Sequence, residues 1–147
     1  MTKKRCRDAA LLATALVLWS CAGEGTGLDE FGNPIRTNTL ELGPTLSSIQ
    51  HYVFTPICTQ CHTGAAAPLG FVLDSGVARQ NLVGVTSVEV PALMRVNPGN
   101  PDSSYMVWKI EGRSGIQGGR MPLGMQPLSA EQIAAIRGWI ADGALNN

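Results

Sequence analysis

The sequence predicts one small all-α domain over residues 44–147, and the main reason is the helical spacing of its apolar residues. Near the start of this region, Leu46, Ile49 and Val53 fall at i, i+3 and i+7, which is the spacing of one helix face. A second stretch, at 129–143, repeats this spacing with isoleucines. Neither an internal repeat nor a second apolar cluster indicates another domain.

The first half of the domain is expected to hold two short helices. The first begins near Pro44 and ends at Pro56, because proline interrupts the backbone hydrogen bonds of a helix. After a Gly/Ala/Pro loop at 63–69, a short helix is expected at 76–82. The stretch 83–96 is expected to be mostly extended.

The second half is expected to hold two more helices. Asp102 and Ser103 follow a strong turn and can cap the third helix. Residues 112–126 then form a long Gly/Pro loop, which in a compact domain is usually functional or disordered. The last helix is the clearest, since Ser129 and Gln132 make a capping box at its start and Gly143 stops it.

Residues 1–20 have the pattern of a secretory signal peptide. Basic residues at 3–7 precede an apolar run, and small residues surround Cys21. Residues 18–21 also resemble a bacterial lipobox, in which the cysteine becomes the lipid-bearing first residue of the mature protein. We therefore expect a lipoprotein-type signal with lipidation at Cys21, and a simple secreted protein or an uncleaved membrane anchor are the alternatives.

Residues 21–43 are rich in Gly, Asn, Thr and acidic residues without apolar periodicity, so we expect a flexible tether. Removal of residues 1–20 leaves seven basic and ten acidic residues of the eleven of each sign. This mildly acidic balance argues against a nucleic-acid partner, which would need clustered Lys and Arg.

The segment Cys58-Thr59-Gln60-Cys61-His62 predicts covalent attachment of one haem c. Its two thiols lie one helical turn apart, so both can reach the two vinyl groups of a porphyrin. The adjacent His62 is then the expected proximal ligand of the iron. In a domain this small, a buried haem would also supply much of the apolar interior.

Two other readings of the cysteine pair remain as alternatives. A zinc site would need four ligands, and the only other histidine is His51. A redox dithiol would need a preceding strand and a βαβ setting, whereas a helix is expected before Cys58.

The second axial ligand of the iron is expected to be Met121. It closely follows Gly118 and Gly119, which allow close backbone approach, and it precedes Pro122, which keeps it out of a helix. Met125 has a similar setting, and Met94, Met106 or an open iron site are the other possibilities.

With these segments the chain resembles the monohaem class I c-type cytochromes, and most of all the bacterial exported, planctomycete-type cytochrome c-like domains. The resemblance covers about residues 44–145. It is carried by Phe54–Pro56, Cys58–His62, Pro98–Tyr105, Arg120–Pro122 and Leu128–Ala144.

The resemblance implies a class I cytochrome c-like helical domain wrapped around one covalently bound haem. Its first and last helices would cross beside the haem, with Val53 or Phe54 near Trp139. In this family a proline carbonyl after the motif accepts the proximal histidine N–H, and Pro68 matches that proline. Residues of a type suited to the haem propionates are Arg95, Tyr105, Trp108, Lys109, Arg113 and Arg120, with Arg120 favoured because it borders Met121.

These features predict an electron-transfer protein rather than an enzyme. With His62 and Met121 both bound, the iron has no vacant site, and transient redox partner proteins are the expected partners, with no small-molecule substrate. A haem-based ligand sensor or a peroxidase-like enzyme with a displaceable distal ligand is the alternative. Lipidated Cys21 would place the domain on the periplasmic side of the cell envelope, and Ala22 beside it suggests the outer membrane.

Overall fold

The computed structural model describes residues 41–147, which lie within one compact unit, Thr39–Asn147. These residues are helical without a named strand, so the all-α prediction is confirmed for this part of the chain. The predicted signal peptide (1–20), Cys21 and the tether up to residue 40 lie outside the described residues.

Four helices form the frame of the domain. Helix α1 (Leu46–Ile49) continues as a π-helical segment, Gln50–Phe54. It is followed by α2 (Ala78–Leu82), α3 (Tyr105–Glu111) and α4 (Ala130–Ala141). Short 3-10 turns lie at Cys58–Gln60, Gly64–Ala66, Pro68–Gly70 and Pro101–Ser103. In the segments described, no helix has the length and apolar character needed to cross a bilayer.

The domain begins earlier than Pro44, which corrects the predicted boundary of the tether. The buried Ser48 hydroxyl donates to the Glu41 carbonyl at 2.7 Å and accepts from the Gly43 N–H at 2.8 Å. Leu42 packs against the core between them. Residues 41–43 therefore belong to the folded domain.

Helix α4 begins and ends as the sequence predicts. The Ser129 hydroxyl accepts from the Gln132 N–H at 3.2 Å, and the Gln132 side chain accepts from the Ser129 N–H at 2.9 Å. Gly143, with φ of +94°, follows the end of the helix. The capping box is local in sequence, which is why the pattern alone identifies it.

Helix α3 is capped differently from the prediction. Its N-cap is Ser104, not Asp102 or Ser103. In the turn before α3, the Ser103 N–H donates to the Asn100 side chain at 3.2 Å. The Asp102 carboxylate lies 2.7 Å from Arg113 and does not cap the helix.

The apolar core lies where α1, α3 and α4 meet. Val53, Phe54 and Trp139 are fully buried in one cluster, in agreement with the expected proximity of the first and last helices. The Trp139 indole donates to the Leu145 carbonyl at 2.8 Å, which fixes the chain after α4.

The stretch 83–96, predicted to be mostly extended, folds back on itself. Isolated bridges join Val83 to Val96 and Thr86 to Met94, and turns and bends lie between them. This stretch brings Glu89 and Arg95 toward the turns that follow Cys58.

Candidate functional site

An apolar cavity of about 350 Å³ lies beside the Cys58–His62 segment, and this volume is in the range of small-molecule and cofactor pockets. Its lining comes from four parts of the chain: residues 57–73, residues 87–95, α3 and residues 121–128. The aliphatic and aromatic residues of the lining are Ile57, Pro68, Leu69, Phe71, Leu73, Val88, Tyr105, Ile110, Pro122, Leu123 and Leu128.

Cys58, Cys61 and His62 all line this cavity. A tight turn brings them together, with the Cys61 and His62 N–H groups donating to the Cys58 carbonyl at 3.2 and 2.9 Å. Burial raises the pKa of Cys58 to about 12, so its sulfur is a neutral thiol at neutral pH. A reactive redox dithiol needs a lowered thiol pKa instead.

The His62 ring is oriented by the backbone. Its Nδ1 lies 3.0 Å from the Phe71 carbonyl oxygen, and since a carbonyl can only accept, Nδ1 carries the hydrogen. Burial, helped by the charge of Lys109, lowers the pKa of His62 below its ordinary value despite this hydrogen bond. The ring is therefore neutral at neutral pH, with the lone pair of Nε2 free to bind a metal.

The prediction that the Pro68 carbonyl accepts the His62 N–H is wrong in this structure. Pro68 lines the cavity, but its carbonyl accepts the Phe71 N–H at 3.0 Å, and the Phe71 carbonyl takes the histidine. The reason lies in how the loop closes. The Leu73 N–H donates to the His62 carbonyl at 2.8 Å, so residue 71 rather than residue 68 reaches the imidazole.

Asp74 completes the closure of this loop. Its carboxylate accepts from the Thr63 hydroxyl at 2.6 Å and from the Gly64 N–H at 2.9 Å. The hydrogen bond from Thr63, followed by that from Gly64, lowers the pKa of Asp74. These contacts join the two ends of the loop that positions the Phe71 carbonyl.

Three methionines line the same cavity as His62: Met121, Met125 and Met106. Met121 packs against the core, whereas Met125 is 44% exposed. Met106 is buried within α3, and Met94 is not part of the lining. The structure thus brings the predicted ligand pair His62 and Met121 to one cavity, together with the alternative Met125.

The loop that carries Met121 is attached to the end of α3. The Met121 N–H donates to the Lys109 carbonyl at 2.9 Å, and Arg120 Nε donates to the Ile110 carbonyl at 2.8 Å. Carbonyls in the last turn of a helix have no partner within the helix. The loop supplies these donors, so it also caps α3.

Three of the six residues suited to the haem propionates line the cavity: Arg95, Tyr105 and Lys109. The favoured candidate, Arg120, is absent from the lining and donates to the Ile110 carbonyl of α3 instead. Trp108 and Arg113 are also absent from the lining. The Ile110 carbonyl lies in the last turn of α3 and has no partner within the helix, which explains why Arg120 bonds to it. The expected end of this helix was the signal in the sequence for such a contact.

Glu89 is a cavity residue that the sequence analysis missed. Its carboxylate accepts from the Tyr105 hydroxyl at 2.6 Å and from Lys109 Nζ at 3.0 Å. Burial acts to raise the pKa of Glu89, but these two hydrogen bonds outweigh it and hold the pKa below its ordinary value. A lone charge between Val88 and Val90 in an apolar stretch was the only sequence signal for a paired carboxylate.

Between residues 41 and 147, no three His, Cys, Asp or Glu side chains converge in the manner of a metal site. Comparisons with protein-family models, with curated proteins and with solved structures found no match to this chain.

Proposed function

We propose that this chain is a c-type cytochrome, a one-electron carrier with a single covalently attached haem c and a class I cytochrome c-like fold. The observation that carries the proposal is the shared cavity, which Cys58, Cys61, His62 and Met121 all line, with Nδ1 of His62 bonded to the backbone. Thioether attachment through two cysteines, with histidine and methionine as axial ligands, is the chemistry of this class.

The cavity residues fit a flat apolar macrocycle that carries carboxylates. Its walls are mainly aliphatic and aromatic. Arg95 is largely buried, and its guanidinium donates to the Asn81 and Leu69 carbonyls at 2.9 and 3.1 Å without a carboxylate partner among the described residues. A buried cation is costly without a counter-charge, and a haem propionate would supply one.

Each residue has a distinct part in this function. Cys58 and Cys61 would form the thioether links, His62 and Met121 would bind the iron through Nε2 and the thioether sulfur, and Phe71 would keep the imidazole in orientation through its carbonyl. When bound, the haem supplies an iron that alternates between ferrous and ferric states. With His62 and Met121 both bound to the iron, no site would remain for a substrate, and the protein would be a carrier rather than an enzyme.

The mouth of the cavity suits transient partners. Leu69, Val88, Leu123 and Met125 line the cavity and are each at least 44% exposed. An apolar rim of this kind favours small contacts with redox proteins. Lipidation at Cys21 would hold the domain at the periplasmic side of the envelope, and the outer membrane is the proposed site.

The test is the absorption spectrum of the full chain, exported from a host that attaches c-type haem. We expect haem to stay with the denatured chain, and the oxidised protein to show the weak near-infrared band of methionine–iron coordination. Met121→Ala should remove this band, and Met125→Ala should keep it.

Different results would correct different parts of the proposal. A chain that holds no covalent haem would overturn the function itself. Covalent haem without the near-infrared band, together with rapid carbon monoxide binding, would favour the sensor or peroxidase-like alternative. Loss of the band in Met125→Ala alone would move the ligand from Met121 to Met125.

A further inference from the structure

We propose that Lys109 is a positioning residue for Met121, which it holds through its own carbonyl and through its ammonium group, with Glu89 as the fixed counter-charge. The inference rests on the proposed function, because the position of Met121 matters to chemistry only when haem is attached. It adds a determinant of whether the iron site is closed by methionine or open to small ligands.

Lys109 binds the 112–126 loop at two points. Its carbonyl accepts the Met121 N–H at 2.9 Å, and its Nζ donates to the Gln117 carbonyl at 2.7 Å. The two loop positions bracket the glycines at 118 and 119, where the backbone is least restricted. One helix residue thus holds the loop on both sides of these glycines, at Met121 through its backbone carbonyl and at Gln117 through its side chain.

Glu89 fixes the ammonium in turn. Lys109 Nζ lies 3.0 Å from the Glu89 carboxylate, and the Tyr105 hydroxyl donates to the same carboxylate at 2.6 Å. The Tyr105 hydroxyl also accepts the Gln117 N–H at 2.9 Å, and the Gln117 side-chain amide donates to the Glu89 carbonyl. The result is a closed network between the 83–96 stretch, α3 and the loop 112–126, here called the methionine loop.

The burial of this network argues against an ordinary surface ion pair. The side chains of Lys109 and Glu89 are only 11% and 25% exposed, and both line the cavity. Burying an ammonium is costly unless its hydrogen bonds and its charge are satisfied. Among the described residues, no buried side-chain nitrogen or oxygen lacks a partner, so the network is fully satisfied.

A second set of ion pairs on α3 provides a matched comparison. Arg137 pairs with Glu111 at 3.1 Å and with Asp102 at 2.9 Å, which ties α4 to α3 and to the turn before it. None of these three residues lines the cavity. Their loss should weaken the fold without moving the methionine loop.

The experiment compares Lys109→Met with Arg137→Gln in the haem-loaded full chain. For Lys109→Met we expect a weaker methionine–iron band in the oxidised protein. Carbon monoxide should bind the reduced protein faster by about tenfold, which is within the usual coupling between residues of one hydrogen-bond network. Arg137→Gln should lower the melting temperature but leave both signals at wild-type values. Lys109→Arg keeps the cation and should recover part of the band.

The outcomes separate this inference from the proposed function. If the wild-type protein lacks the band, the histidine–methionine site is wrong. If the wild-type protein has the band and Lys109→Met retains it with unchanged carbon monoxide binding, the positioning role is wrong. Should Lys109→Met fail to fold, Glu89→Gln decides, because it keeps the size of the side chain but removes the charge that fixes the Lys109 ammonium. A wild-type band and carbon monoxide rate in Glu89→Gln would then overturn the inference.

Discussion

Gly112, at the end of α3, is expected to be the glycine of the methionine loop least tolerant of a side chain. It adopts φ of +70° and ψ of +40°, a left-handed conformation that costs an L-residue about 1 kcal/mol or more. A Cβ there would lie 2.9 Å from Arg120 Cδ and 3.3 Å from Arg120 Cβ. Rotation of the Arg120 side chain relieves the first contact but not the second, so the hydrogen bond to the Ile110 carbonyl is lost or lengthened.

The expected cost of Gly112→Ala follows from these two contributions. A hydrogen bond from a charged donor contributes about 1.5–3 kcal/mol when buried, and we take about 1 kcal/mol because Arg120 is exposed and its bond to Ile110 is only part-buried. Together with the backbone strain, Gly112→Ala should lower the free energy of unfolding by about 2 kcal/mol. For a domain of this size, that corresponds to a fall in melting temperature of roughly 8–15 °C.

Urea unfolding of the haem-loaded protein measures this difference, and Gly119→Ala is the matched control. At Gly119, an added Cβ would meet only the end of the Leu123 side chain, which is 67% exposed and free to rotate. Gly119→Ala should therefore change the free energy of unfolding by less than about 0.5 kcal/mol. Equal stability of Gly112→Ala and the wild type would refute the strain and contact argument, as would an equal loss in both variants.

Two further predictions concern the stability of the frame. Gly138→Ala should gain about 1 kcal/mol from helix propensity, but the new Cβ would lie 2.9 Å from the rigid ring of Pro44. We therefore expect the free energy of unfolding in urea to fall by about 1 kcal/mol, and a rise would contradict this argument. The hydrogen bond from Arg113, followed in size by that from Arg137, lowers the pKa of Asp102. The ionised carboxylate therefore stabilises the fold above its ordinary pKa of 3.8, and this effect is lost as the pH falls through the lowered value. Melting temperatures measured from pH 5 down to about pH 2 should therefore fall less steeply in Asp102→Asn than in the wild type, and parallel curves would refute this role.

The helices were predictable from sequence because their signals are local. The capping box of Ser129 and the stop at Gly143 involve residues within one turn of the helix ends. The continuation of α1 as a π-helical segment at Gln50–Phe54 carries no such signal, since the apolar spacing of Leu46, Ile49 and Val53 is the same for both forms.

The cavity was predictable only in part, because its contacts depend on how loops close. The Cys58–His62 motif fixes three of its groups by their adjacency in the chain. By contrast, the Asp74 carboxylate binds the Gly64 N–H ten residues earlier and so helps to close the loop. In the closed loop the carbonyl of Phe71, rather than that of Pro68, accepts the His62 N–H. The pairing of Glu89 with Lys109 spans twenty residues and depends on how the turns between them fold back onto α3.

The two sides of the cavity are held in different ways, and this bears on how the site would respond to stress. His62 is fixed by a short turn, by the Phe71 carbonyl and by a loop whose ends are joined through Asp74. Met121 lies on a long irregular loop whose residues are mostly exposed, and whose hydrogen bonds run to α3, Asp102 and Glu89. Segments that bury few apolar side chains open at a lower free energy than the whole domain. The methionine side should therefore open before the histidine side, so that partial destabilisation exposes the iron to ligands while the haem stays attached.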